Sequence, residues 1–89
     1  MEIKAKRVEC EGIDCLVNPG DFKWMDNYTR MMFVCPCGCG ILPGIVVQPL
    51  PNAWGWDGNI ETPTITPSID INRGHWHGYL TNGVFKSCD

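Results

Sequence analysis

Long apolar runs are missing from this chain: none exceeds six residues, against the roughly 20 that a membrane-spanning helix needs. Helical periodicity is missing too, since no window of about eleven or more residues repeats its apolar positions at the i, i+3, i+4 spacing. Positive charge is scarce, with seven Lys and Arg against ten Asp and Glu, a net charge of −3 and a pI of about 5.2. The basic face through which zinc ribbons hold nucleic acid is therefore lacking. The one basic group, Lys4, Lys6 and Arg7, is followed at once by Glu9, Glu11 and Asp14. The N-terminal residues lead into no apolar stretch of the secretory kind, so a cytoplasmic protein is expected. Also lacking are His-Glu-x-x-His, a Cys-x-x-Cys redox pair, a Cys-x-x-Cys-His haem site and a phosphate-binding glycine loop. No repeat, linker or low-complexity segment divides the chain.

What the chain has in quantity is cysteine, six in 89 residues. A chain of this length buries only roughly 60–65% of its unfolded surface, and domains near about 70–80 residues usually need a staple. Three disulfides or a metal would serve. Three cysteines within five residues, Cys35, Cys37 and Cys39, beside histidines elsewhere, favour metal. The fold class expected is mainly β: a single small domain, residues 1–89, with an antiparallel sheet or β-sandwich-like fold stapled by a zinc-ribbon-like site.

Seven prolines and ten glycines cut the chain into short strands. Residues 2–8 alternate and read as an edge strand guarded by lysines. The segments 10–15 and 18–21 read as turns. Residues 21–28 could hold one helical turn capped by Asp21. Residues 29–34 form a strand running into the cysteine turn. Ile45-Val46-Val47 is the most β-branched run and reads as the central strand. Residues 54–59 form a loop or hairpin. Residues 64–71 alternate, with Ile65, Pro67, Ile69 and Ile71 on one side, and the prolines predict an edge or a bulge. Asn82-Gly83 predicts a type I′ hairpin. It pairs Thr81 with Val84, Leu80 with Phe85, Tyr79 with Lys86, Gly78 with Ser87, and His77 with Cys88, and turns Leu80 and Phe85 to the core.

In that register the Cβ atoms of His77 and Cys88 stand about 4.5–5.5 Å apart, which suits two corners of a tetrahedral metal site. Two thiolates from the cysteine turn supply the other corners, giving a structural Cys3His zinc site. Cys35 is the first of them, because a strand leads into it and Pro36 fixes the bend. Cys37 and Cys39 compete for the second place. His75 could replace a cysteine or hydrogen-bond to a ligand. Cys10 and Cys15 read as ordinary buried cysteines, with a separate site including His75 as an alternative. Iron is the alternative metal where three or four thiolates are available.

Phe33 through Gly40, then Trp56-Asp57-Gly58-Asn59, Pro63 through Ile69, and His77 through Gly83 to Cys88 resemble, in that order, a family of small uncharacterised phage and bacterial proteins with a domain of unknown function. Some members carry the label "ammonia monooxygenase". The resemblance covers residues 31–88, leaving 1–30 as a divergent N-terminal part. It implies a phage or mobile-element origin and a metal site at the Cys35 turn, His77 and Cys88. Where many relatives have a cysteine just before His77, this chain has His75 and Trp76. The monooxygenase label finds no support, because such an enzyme is a membrane complex.

A closed four-ligand site is structural, whereas catalytic zinc keeps a position for water. The leading reading is accordingly a non-enzymatic, zinc-stabilised domain, phage-encoded, contacting host or phage proteins through Trp54, Trp56 and Trp76. A small metalloenzyme or ligand-binding module with an open zinc position beside Trp54 and Trp56 is the alternative. Single-stranded nucleic-acid binding by tryptophan stacking is the third.

Overall fold

The computed structural model describes residues 2–72 and 74–88. Its elements are all strands: β1 (Glu2–Lys4), β2 (Lys6–Arg7), β3 (Asp21–Met25), β4 (Arg30–Phe33), β5 (Gly44–Val46), β6 (Gly55–Trp56), β7 (Ile65–Ile71), β8 (Trp76–Thr81) and β9 (Val84–Ser87). They form two sheets, ordered β1-β9-β8-β7-β6 and β2-β3-β4-β5. Every pairing is antiparallel except β2 with β3.

Each sheet turns one row of alternate side chains inward, as the period of two requires. The first sheet contributes Ile65, Ile69, Ile71, Trp76, Leu80 and Phe85, and the second Phe22, Met31, Phe33 and Ile45. Phe33 and Phe85 stack across the gap at 5.1 Å between ring centroids, and Trp76 meets Phe85 edge-on at 5.9 Å. Each fully buried Phe contributes roughly 1.5–3 kcal/mol over its exposed state, and aromatic pairing adds about 0.5–1.5 kcal/mol. A two-sheet sandwich of short strands is thus the mainly β architecture expected.

The C-terminal hairpin has the register that Asn82-Gly83 predicts, from Thr81–Val84 to Gly78–Ser87. Asn82 at φ 48° and Gly83 at φ 75° supply the left-handed pair. Residues 2–7 lie at edges, as their lysines suggest, but the chain crosses from one sheet to the other at buried Ala5.

Three local expectations change. Residues 21–25 are strand, with no helical turn: the buried Asp21 carboxylate accepts the amides of Val17 and Asn18, which closes the preceding turn instead of capping a helix. β5 lies at the edge of its sheet, not at the centre; just beyond it the Trp54 amide donates to Val46 O at 3.0 Å and covers that edge. In β7 the bulge reading holds, but Pro67 faces solvent. The pairing with β8 shifts between Ile65 and Ile69, so Pro67 leaves the inward row.

Candidate functional site

Two constellations of reactive side chains meet at the β7–β8 end of the larger sheet. The first is built on the cysteine turn after β4. Gly38 N–H donates to Cys35 O at 3.1 Å and Cys35 N–H to Ile41 O at 3.0 Å, while Gly38 and Gly40 both sit at φ 90°. Left-handed backbone of this kind is open to glycine and reverses the chain within a few residues. Three thiols at alternate positions therefore converge on one point instead of being spread along one face of an extended chain.

Opposite them stands His75, in the turn between β7 and β8. Its Nε2 lies 3.3 Å from Cys37 Sγ and 3.2 Å from Cys39 Sγ, and Cys35 Sγ lies 3.3 Å from Cys37 Sγ. The four donor atoms fall within 4.8 Å of one another. Tetrahedral zinc with ligands at about 2.0–2.3 Å holds its donors about 3.5–3.8 Å apart, so the close pairs need open only slightly, and any wider pair close in, to seat an ion. Three thiols and an imidazole are donors suited to zinc, and this group can hold a metal ion. Burial pushes the Cys35 thiol up to about 12, while hydrogen bonds from Cys35 and Cys39 pull Cys37 down.

Cys35, Cys37 and Cys39 are three of the four donors, and the fourth is His75. His77 and Cys88 do form the expected cross-strand pair, with Cys88 N–H donating to His77 O at 2.8 Å. Neither belongs to the four-donor group. In β8, Trp76, Gly78 and Leu80 point to the core, which leaves His77 on the solvent face with Tyr79. His75 precedes the strand, so strand alternation does not fix its direction, and it takes the ligand position expected of His77.

The second constellation is formed by His77 itself. Asp70 lies directly across from His77 in the β7–β8 ladder, and Ser68, two residues along β7 on the same face, is the diagonal neighbour that an imidazole can reach. His77 Nε2 lies 2.8 Å from Ser68 Oγ. Ser68 falls in the shifted stretch of β7, a bulge of the kind that re-aims side chains beside active sites. Its carbonyl accepts the Trp54 indole N–H at 3.2 Å, and the Asp70 carboxylate accepts Gly74 N–H at 2.6 Å. Ser68 was outside the sequence expectations. The alternation over 64–71 marks a strand there, but no spacing within it singles out Ser68, whose place depends on the register shift.

Cys10 and Cys15 are joined in a disulfide, with Cα atoms 5.8 Å apart, so they are neither simple buried thiols nor part of a site with His75. Lys23 Nζ donates to the carbonyls of Cys10 and Gly12 and ties that loop to β3. Of the tryptophans offered as a contact surface, Trp54 and Trp56 are half-buried at the rim, with Trp56 against Trp24 at 4.5 Å, whereas Trp76 is only 6% exposed. No helix among the described residues is long and apolar enough to cross a membrane.

No curated protein and no solved structure matches the chain. The model of a family described as "BubE: Bacterial ubiquitination-like system serine protease (BubE)" matches residues 9–88, which takes in the disulfide loop, the cysteine turn and both histidines. The chain belongs to the BubE family.

Proposed function

We propose that this protein is a serine hydrolase of a bacterial ubiquitination-like system, cleaving an amide or ester linkage at a carbonyl of a protein substrate. Ser68 is the nucleophile and His77 the general base. The observation that carries the reading is the 2.8 Å contact between Ser68 Oγ and His77 Nε2, which is hydrogen-bond reach for a nucleophile and its base. The description of the family as a serine protease agrees with it.

In this mechanism Ser68 O–H donates to His77 Nε2. As Oγ bonds to the substrate carbonyl carbon, the proton passes to His77. The tetrahedral intermediate collapses, the bond to the leaving nitrogen or oxygen breaks, and the imidazolium returns the proton to that leaving atom. Water then gives a proton to His77 and attacks the acyl-Ser68 ester, which frees the carboxylic acid and restores the serine. General-base assistance of this kind contributes typically 10²–10⁴-fold.

The cysteine cluster has the complementary, structural role. Zinc fits three thiolates and one imidazole, and a complete set of four leaves no position for a reacting water. Held by Cys35, Cys37, Cys39 and His75, an ion would cross-link the cysteine turn after β4 and the β7–β8 turn. A second reading, a non-enzymatic module that contacts proteins through Trp54 and Trp56, is favoured by that closed donor set and by the half-buried tryptophans. Activity of purified wild type, Ser68→Ala and His77→Ala on an activated ester and on a ubiquitin-like protein conjugate tests the choice. Turnover should fall about 10³-fold or more in Ser68→Ala; wild type without turnover, or Ser68→Ala with full turnover, returns the second reading.

A further inference from the structure

We propose that the thiol–imidazole cluster is the positioning device of the serine–histidine pair, with His75 and Asp70 as positioning residues that set His77 against Ser68. The inference rests on the hydrolase reading above and adds to it a dependence of that chemistry on the cluster. Its basis is the way four contacts share one short segment: Asp70 to Gly74, His75 to Cys37, His75 to Cys39, and His77 to Ser68.

His77 is exposed, so burial does not fix its ring. What fixes the backbone that carries it lies on either side. Trp76 is buried against Phe85, which pins the inward face of β8. His75, about 7 Å along the chain from His77 at strand spacing, reaches over to the cysteine turn of the other sheet. The turn between β7 and β8 contains left-handed Asn72 and Gly74 and is exposed at Asn72, Gly74 and His75. Asp70 closes it by accepting the Gly74 amide, and His75 N–H donates to Ile71 O at 2.9 Å. Free the His75 ring from the thiols, and the entry to β8 keeps only the packing of Trp76, its ladder to β7 and this exposed turn. A displacement of about 1 Å between nucleophile and base can cost on the order of 10²-fold in rate, so a site built this way is active only when the cluster is closed.

The test is the rate at which a fluorophosphonate modifies Ser68, followed by intact mass on protein loaded with Co²⁺, whose thiolate absorption reports the cluster directly. Asp70→Ala should keep that absorption and the near-UV circular dichroism of the core, yet label Ser68 at least about tenfold more slowly. Asp70→Asn retains the acceptor oxygen and should recover most of the rate. His75→Ala, or removal of the metal by a chelator, should slow labelling about 10²-fold with the core spectrum retained. If the stripped protein unfolds, His75→Ala, which removes the imidazole and keeps the three thiols, decides. Unchanged labelling in Asp70→Ala and His75→Ala overturns the coupling alone. A loaded wild type that forms no Ser68 adduct overturns the hydrolase reading together with it.

Discussion

Cys35 shows how one residue ties the core to the candidate metal centre. It is fully buried, and desolvation raises its thiol from 9.0 to about 12. In the metal-free protein it is therefore protonated at neutral pH, and a metal that takes it as thiolate must displace that proton. Apparent affinity should then rise about tenfold per pH unit for each proton released, which competition titrations across the neutral range will measure. The same shift has the opposite sign for the metal-free fold. Between 9.0 and about 12 the unfolded chain gives up the Cys35 proton and the folded chain keeps it. Stability is thus undiminished below the lower value and declines as pH rises through the window. Urea midpoints of stripped protein should fall over that range, and those of Cys35→Ala should not fall from this cause. Ser68 makes a different point. Its side chain has meaning only beside His77, and no local residue pattern announces a contact across two strands.

At the scale of elements, the C-terminal hairpin was legible because Asn82-Gly83 fixes turn type and register together. That register is why the Thr81–Val84 and Leu80–Phe85 pairs could be written down beforehand. Gly83 combines φ 75° with a close approach, since a Cβ there would lie 3.0 Å from Thr62. Gly83→Ala should therefore cost more than the roughly 1 kcal/mol of a left-handed alanine, read as a lowered Tm. The cysteine turn was legible as a cluster, but the identity of its histidine was not. Alternation assigns faces within a strand, and His75 lies just outside one. The Cys10–Cys15 disulfide escaped for a related reason: closeness in space across the Gly12 turn is not encoded in apolar spacing. Its loop is short, so reduction should cost about 2 kcal/mol by the chain-entropy account, measured as a shift in urea midpoint on adding a reductant. Because that loop is tied to β3 by Lys23 and not to β7 or β8, the serine–histidine pair should survive it.

For the whole molecule, two small sheets bury one core between them, and Phe33 against Phe85 is its centre. Either Phe→Ala should lose about 3–5 kcal/mol, a large fraction of the 5–15 kcal/mol typical of a domain. The architecture could be read from short alternating segments and turn residues. The ordering of strands, which leaves Ile45–Val47 at an edge, could not, because it depends on how the loop after β5 folds Trp54 back against it. The sandwich brings the end of β4 beside the β7–β8 turn, and so sets a closed thiol–imidazole group next to a serine–histidine pair. The most direct measurement of the central claim is the mass of the intact protein after exposure to diisopropyl fluorophosphate, with the modified peptide sequenced. The account predicts a single adduct on Ser68, formed far more slowly in His77→Ala and absent from Ser68→Ala. An unmodified wild type, or an adduct whose rate ignores His77, would contradict it.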